Sequence, residues 1–166
     1  MISKKMETAL NKQINNELYS AYLYTAMSAD AHHAGFKGVA NWFMVQGKEE
    51  MTHAMKLYGY IQDQQGRVAL QAIQEPPAHF KSVLDMFEKG LAHEQSVTKA
   101  INELTDLAAK ENDHATAIAL QWFITEQIEE EANATEIVGQ LKMVKESVGS
   151  LFMIDHQLGK REFKAG

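Results

Sequence analysis

The stretch Gln46-Gly47-Lys48-Glu49-Glu50-Met51-Thr52-His53-Ala54 puts an acid and an imidazole three residues apart inside a segment with helical hydrophobic spacing. Alternating steps of four and three from Phe43 give Phe43, Gln46, Glu50, His53, Leu57 and Tyr60, one face of a helix packed nearly parallel to its neighbour. Glu50 and His53 therefore interrupt an apolar seam side by side.

The same reading extends through the chain. A first segment gives Leu10, Ile14, Glu17, Ala21 and Tyr24, and a third gives Leu84, Phe87, Leu91, Glu94, Thr98 and Ile101. A fourth gives Leu120, Phe123, Gln127, Glu130, Ala134, Ile137 and Leu141. Glu94 follows Glu17 by 77 residues, and Gln127 and Glu130 follow Glu50 and His53 by the same 77. Helices one and two thus map onto helices three and four, and the pseudo-repeat implies a bundle whose polar groups converge from both halves.

The breakers agree. Ser3 can cap the first helix, which stops at His33-Ala34-Gly35; the second runs from about Gly38 to Gln65. Residues 66–80 hold both prolines, Pro76 and Pro77, and are too long for a tight turn, so they predict a long crossover between helices 2 and 3. Ser82 with Asp85 opens the third helix, Asp113 caps a fourth that continues to about Lys145, and a short C-terminal fifth helix over about 150–158 presents Leu151, Ile154 and Leu158 on one face. The expected fold is all-α: one domain over 1–166, with a four-helix bundle over about 3–145 and the short helix behind it.

The 166 residues contain no cysteine, so iron–sulfur clusters and thiolate-ligated zinc are excluded, and a metal must be held by oxygen and imidazole. The formal charge is -6 with no Lys/Arg stripe, which speaks against nucleic acid. No window approaches the apolar length that spans a bilayer, and residues 1–7 lack a signal-like apolar core, so no membrane and a cytoplasmic location are expected.

Buried carboxylates without a compensating Lys or Arg on the seams need a cation. Oxygen-rich ligation with one histidine favours iron or manganese, and carboxylates can bridge, so two adjacent ions are expected. Two irons together can pass two electrons to dioxygen.

Glu17, Glu50-x-x-His53, Glu94 and Gln127-x-x-Glu130 resemble the ferritin family, and the segments 46–54 and 121–131 resemble its prokaryotic haem-free branch, over about Met6 to Leu158. The resemblance implies a ferritin-like bundle with a di-iron centre. Its first iron would be held by Glu17, Glu50 and His53, with Gln127 nearby as a ligand or orienting group. Glu50 would bridge to a second iron on Glu94 and Glu130. A third iron site is implied at Glu49, Glu126 and Glu129, sharing Glu130; Tyr24 takes the place of the site tyrosine, and Trp122 is a second oxidisable side chain. The fourth helix carries Gln127-x-x-Glu130 where bacterioferritin carries Glu-x-x-His, so no haem is expected, although Met51 stands near the position of the bacterioferritin haem ligand. The implied activity is ferroxidase chemistry, with Fe(II) as substrate, dioxygen or hydrogen peroxide as acceptor, and ferric mineral stored in a homo-oligomeric shell of 24 subunits. A small di-iron or di-manganese oxidase that stores nothing, and a shell subunit lacking the oxidation centre, are the competing expectations.

Overall fold

Each helix start shows how the chain ends one element and begins the next. In a computed structural model describing residues 1–144 and 147–163, Ser3 Oγ accepts from Met6 N at 3.0 Å and opens α1 (Lys4–His33). Gly35, at φ 90, then turns the chain into α2 (Lys37–Asp63). Ser82 Oγ accepts from Asp85 N at 3.1 Å to start α3 (Val83–Glu111), which ends on Asn112 in the left-handed conformation. Asp113 Oδ1 accepts from Thr116 N at 3.0 Å at the start of α4 (His114–Val144), and Ser147 caps α5 (Val148–Leu158). These caps satisfy backbone donors that a helix start leaves without partners. The expected fourth-helix limit at Lys145 lies outside the described residues, and α5 begins two residues before its predicted start.

Two apolar clusters show how the helices run. One joins Met27 and Ala31 late in α1, Val39 and Phe43 early in α2, Met86 and Phe87 early in α3, Val138 and Leu141 late in α4, and Ile154 and Leu158 of α5. The other joins Met6 and Leu10, Leu57 and Ile61, Ile101 and Leu104, and Leu120 and Phe123 from the opposite ends. α1 is therefore antiparallel to α2, α3 is antiparallel to α4, and α2 runs parallel to α3.

Parallel neighbours need a connection as long as the bundle, and residues 64–82 supply it. This crossover lies along α1. At one end Arg67 N donates to Glu7 Oε2 at 2.9 Å, and Asn11 binds both the Arg67 carbonyl and Ala69 N. At the other end Phe80 N donates to Asp30 Oδ2 at 2.9 Å.

One detail of the sequence reading shifts. Leu84, Leu91 and Thr98 are only half-buried, and the third helix faces the core with Met86, Gly90 and Val97 instead. Gly90 belongs there because the Tyr24 ring packs over it, a contact across helices that periodicity within one helix does not reveal. Among the described residues, no helix is long and apolar enough to cross a membrane.

Candidate metal centre

Between the two apolar clusters lies a layer of buried polar side chains. Glu17, Glu50, His53, Glu94 and Glu130 are between 1% and 5% exposed, as deeply enclosed as the aliphatic core. Among the described residues, no Lys or Arg forms an ion pair with any of these four carboxylates.

Donor atoms of Glu17, Glu50 and His53 lie within 4.8 Å of one another, as do those of His53, Glu126 and Glu130. His53 Nδ1 stands 3.4 Å from Glu50 Oε2, and its Nε2 stands 3.9 Å from Glu126 Oε1. Trp122 and Phe123 meet the imidazole edge-on at 5.2 and 6.3 Å, which fixes its plane. Across the layer Tyr24 donates its phenolic hydrogen to Glu94 Oε1, and Gln127 Nε2 donates to Glu94 Oε2 at 3.1 Å.

Gln127, expected beside the first metal position as a ligand or orienting group, places its amide nitrogen against Glu94, with further contacts to the Glu94 carbonyl and Thr98 Oγ1. Glu49, Glu126 and Glu129 line the mouth of a cavity of about 600 Å³ with His53, Trp122 and Glu130. Glu129 is exposed, and Glu49 is paired with Arg161.

Two supporting residues were missed from the sequence. Gln13 Nε2 donates to Glu17 Oε1 at 2.8 Å, and Gln46 Nε2 donates to Glu50 Oε1 at 2.9 Å. In both cases glutamine precedes glutamate by four residues on one helix face, a spacing visible in the sequence. Arg161 carried no such signal, because it meets Glu49 from 112 residues away.

The electrostatics fit a cation. Burial, followed by the Glu50 charge, pushes Glu17 up to about 8. Burial and the facing Glu94 push Glu130 up to about 7. Burial also raises Glu50 and Glu94, and it raises the Tyr24 hydroxyl, with the Glu94 charge adding to it. Carboxylates crowded in a dry layer hold protons near neutrality, and a divalent ion can take the place of those protons. Among the described residues, Glu17 Oε2 and Gln46 Oε1 are buried without hydrogen-bond partners, so oxygen lone pairs remain available for ligation.

A helical bundle with inward glutamates and one histidine at mid-height has the fold and the oxygen-rich donor set of metal-handling four-helix proteins. The chain belongs to the ferritin family: the profile of the ferritin-like domain matches residues 7–144. It is 39% identical to a bacterial non-heme ferritin of Staphylococcus saprophyticus over 163 residues, 98% of each chain. The corresponding protein of Staphylococcus aureus is 36% identical over the same share. Among solved structures, the open pore ferritin of the hyperthermophilic archaeon Archaeoglobus fulgidus superposes with a TM-score of 0.97 at 46% identity, covering 98% of this chain and 100% of that one. An engineered closed form of that ferritin superposes at 0.98.

Proposed function

We propose that this ferritin binds Fe(II) in pairs at the inner layer, oxidises it there, and stores the ferric product inside a cytoplasmic shell of 24 copies. Iron storage is the family's activity; the residue roles are our reading. The observation that carries them is four carboxylates and one imidazole, each at most 5% exposed, with no Lys or Arg ion-paired to the carboxylates among the described residues.

In this reading Glu17, Glu50 and His53 hold one Fe(II), Glu94 and Glu130 hold the other, and Glu50 lies between them. Gln13 and Gln46 orient Glu17 and Glu50 by amide hydrogen bonds, and Gln127 and Tyr24 orient Glu94 from opposite sides. The carboxyl protons held near neutrality leave as the cations enter, so the protons lost offset part of the charge the metal brings. Each Fe(II) gives up one electron, and the pair delivers two to dioxygen or hydrogen peroxide. Glu49, Glu126 and Glu129, with Glu130, form an outer position for a third ion at the cavity mouth.

Assembly is supported by apolar surface that a lone chain leaves in water. Val148, Phe152 and Met153 project from α5, and Tyr22, Met44, Met51 and Ile73 line a groove of about 440 Å³.

The test combines light scattering with aerobic Fe(II) oxidation on the same sample. A large uniform particle that takes up far more iron than three ions per chain supports storage. A small oligomer that stops at about two ions per chain indicates a non-storing oxidase. Glu17→Ala and Glu130→Ala should each abolish the rapid phase of oxidation; its persistence in both would remove the inner layer from the mechanism.

A further inference from the structure

Arg161 lies three residues beyond the end of α5 and reaches back to the mouth of the metal cavity. Its Nη2 donates to Glu49 Oε2 at 2.5 Å, and its guanidinium stands 4.3 Å from the centre of the Trp42 ring. A planar guanidinium suits both contacts, one at its edge and one on its face.

The backbone beneath it is held in three places on the start of α2. Asn41 Nδ2 donates to the Arg161 carbonyl at 2.9 Å and to the Gly159 carbonyl at 3.3 Å. Val39 N donates to Asp155 Oδ1 at 2.8 Å. Gly38 lies so close to the Asp155 carbonyl that a side chain there would overlap it. A charge at the end of a long flexible side chain is thereby fixed beside an acidic cavity.

That cavity is lined by Glu49, Glu126, Glu129 and Glu130 with His53, and Lys160 lies on its wall without forming an ion pair among the described residues. Of the Lys and Arg side chains on this wall, Arg161 is the one that meets a carboxylate directly among the described residues, and its second terminal nitrogen, Nη1, is buried without a hydrogen-bond partner among them. The guanidinium is therefore committed to Glu49 and Trp42 while part of its donor set goes unused, the state of a placeholder more than of a fully satisfied structural bridge. It cannot leave by losing its proton, so it must swing out into solvent.

We propose that Arg161 is a tethered counter-cation of the outer carboxylates: it neutralises Glu49 in the absence of metal, and a divalent cation must displace it before Glu49 becomes a ligand. The inference rests on the outer position described under the proposed function. Displacement breaks the ion pair with Glu49 and the contact with the Trp42 ring and no covalent bond; the guanidinium returns to water and the metal takes the carboxylate oxygen. The consequence is an ordered site, in which the inner pair fills first and the outer position answers only to higher cation concentration.

The experiment uses the assembled full chain and Co(II) as a probe that oxygen does not turn over. Binding is read by titration calorimetry, and tryptophan fluorescence follows Trp42 under the guanidinium together with Trp122 on the cavity wall. The unmodified protein should show a tight class of two ions per chain and a weaker third. In Arg161→Gln the third ion should bind about tenfold more tightly while the tight class is unchanged. Lys160→Gln removes an equal charge from the same wall without touching the ion pair, and should have at most about a threefold effect. In a Glu49→Gln background, Arg161→Gln should add nothing.

An unchanged or weakened third ion in Arg161→Gln, an equal gain in Lys160→Gln, or the absence of any third ion overturns the proposal. Loss of the tight class in the unmodified chain instead overturns the inner site, and the same titration separates the two failures. Should the glutamine variant fail to assemble, Arg161→Lys carries the test: losing the planar fork, it should still tighten the third ion.

Discussion

Tyr24 on α1 donates its hydroxyl hydrogen to Glu94 on α3, and its ring stacks on Phe43 of α2 with centroids 5.9 Å apart. Gln127 of α4 serves the other Glu94 oxygen at 3.1 Å. One carboxylate thus joins α1, α3 and α4, and the Tyr24 ring carries the link to α2, at the level where the apolar core is interrupted.

Removing that hydroxyl separates stability from chemistry. Tyr24→Phe should lower the unfolding free energy by about 1–2 kcal/mol, because a buried carboxyl oxygen loses a donor. Oxidation of Fe(II) should slow but persist, since Tyr24 orients a ligand and is not one. Denaturant unfolding and stopped-flow absorbance measure the two effects; unaltered stability would mean that Glu94 does not depend on this donor.

The inner carboxylates work against the fold until a cation arrives. Glu50→Gln keeps shape and removes a buried acid crowded by Glu94 and Glu130. We expect the metal-free protein to gain about 1–2 kcal/mol in this variant, and Co(II) to lose most of its stabilising effect on it. Thermal melts with and without the ion check both halves, and a destabilised metal-free variant would contradict the argument.

The pH dependence has a definite sign. Glu17 binds its proton more tightly folded, at about 8, than unfolded, at 4.5, and Glu130 shifts the same way to about 7. The stability these groups contribute is complete below about pH 4.5 and is lost as pH rises through 7 and 8. Metal-free protein should therefore melt at lower temperature at pH 8.5 than at pH 6, with a smaller difference in Glu17→Gln. At pH 6.5, Co(II) binding should release at least about two protons per chain, measurable by calorimetry in buffers of differing ionisation enthalpy.

The anchor of α5 is steric as well as polar. Gly38→Ala places a methyl group against the Asp155 carbonyl and 3.0 Å from Gly159 N. A cost of about 1–3 kcal/mol is expected, concentrated in α5 because the rest of the bundle does not share this contact. Hydrogen exchange should speed up over residues 148–158 while α1 to α4 keep their protection; uniform protection would show that the helix is held elsewhere.

Much of the architecture was legible along the chain because helices have a local period. Ser3, Ser82 and Asp113 mark helix starts, the 77-residue offset marks the pseudo-repeat, and the polar interruptions of apolar seams mark the centre, all within reach of 3.6-residue geometry. The four-residue spacing of Gln13 to Glu17 and Gln46 to Glu50 belongs to the same local code.

What the tertiary structure alone decided is set by contacts that no period carries. The rotation of α3, which buries Val97 in place of Thr98, depends on how the Tyr24 ring fills the space above Gly90. The siding of Gln127 with Glu94 depends on two helices meeting at one height. The ion pair of Arg161 with Glu49 depends on a turn and a short helix folding back over 112 residues. Sequence periodicity determines which face of a helix is buried; which residue of another helix that face meets is settled only by packing, where shape and charge from distant segments are matched at once.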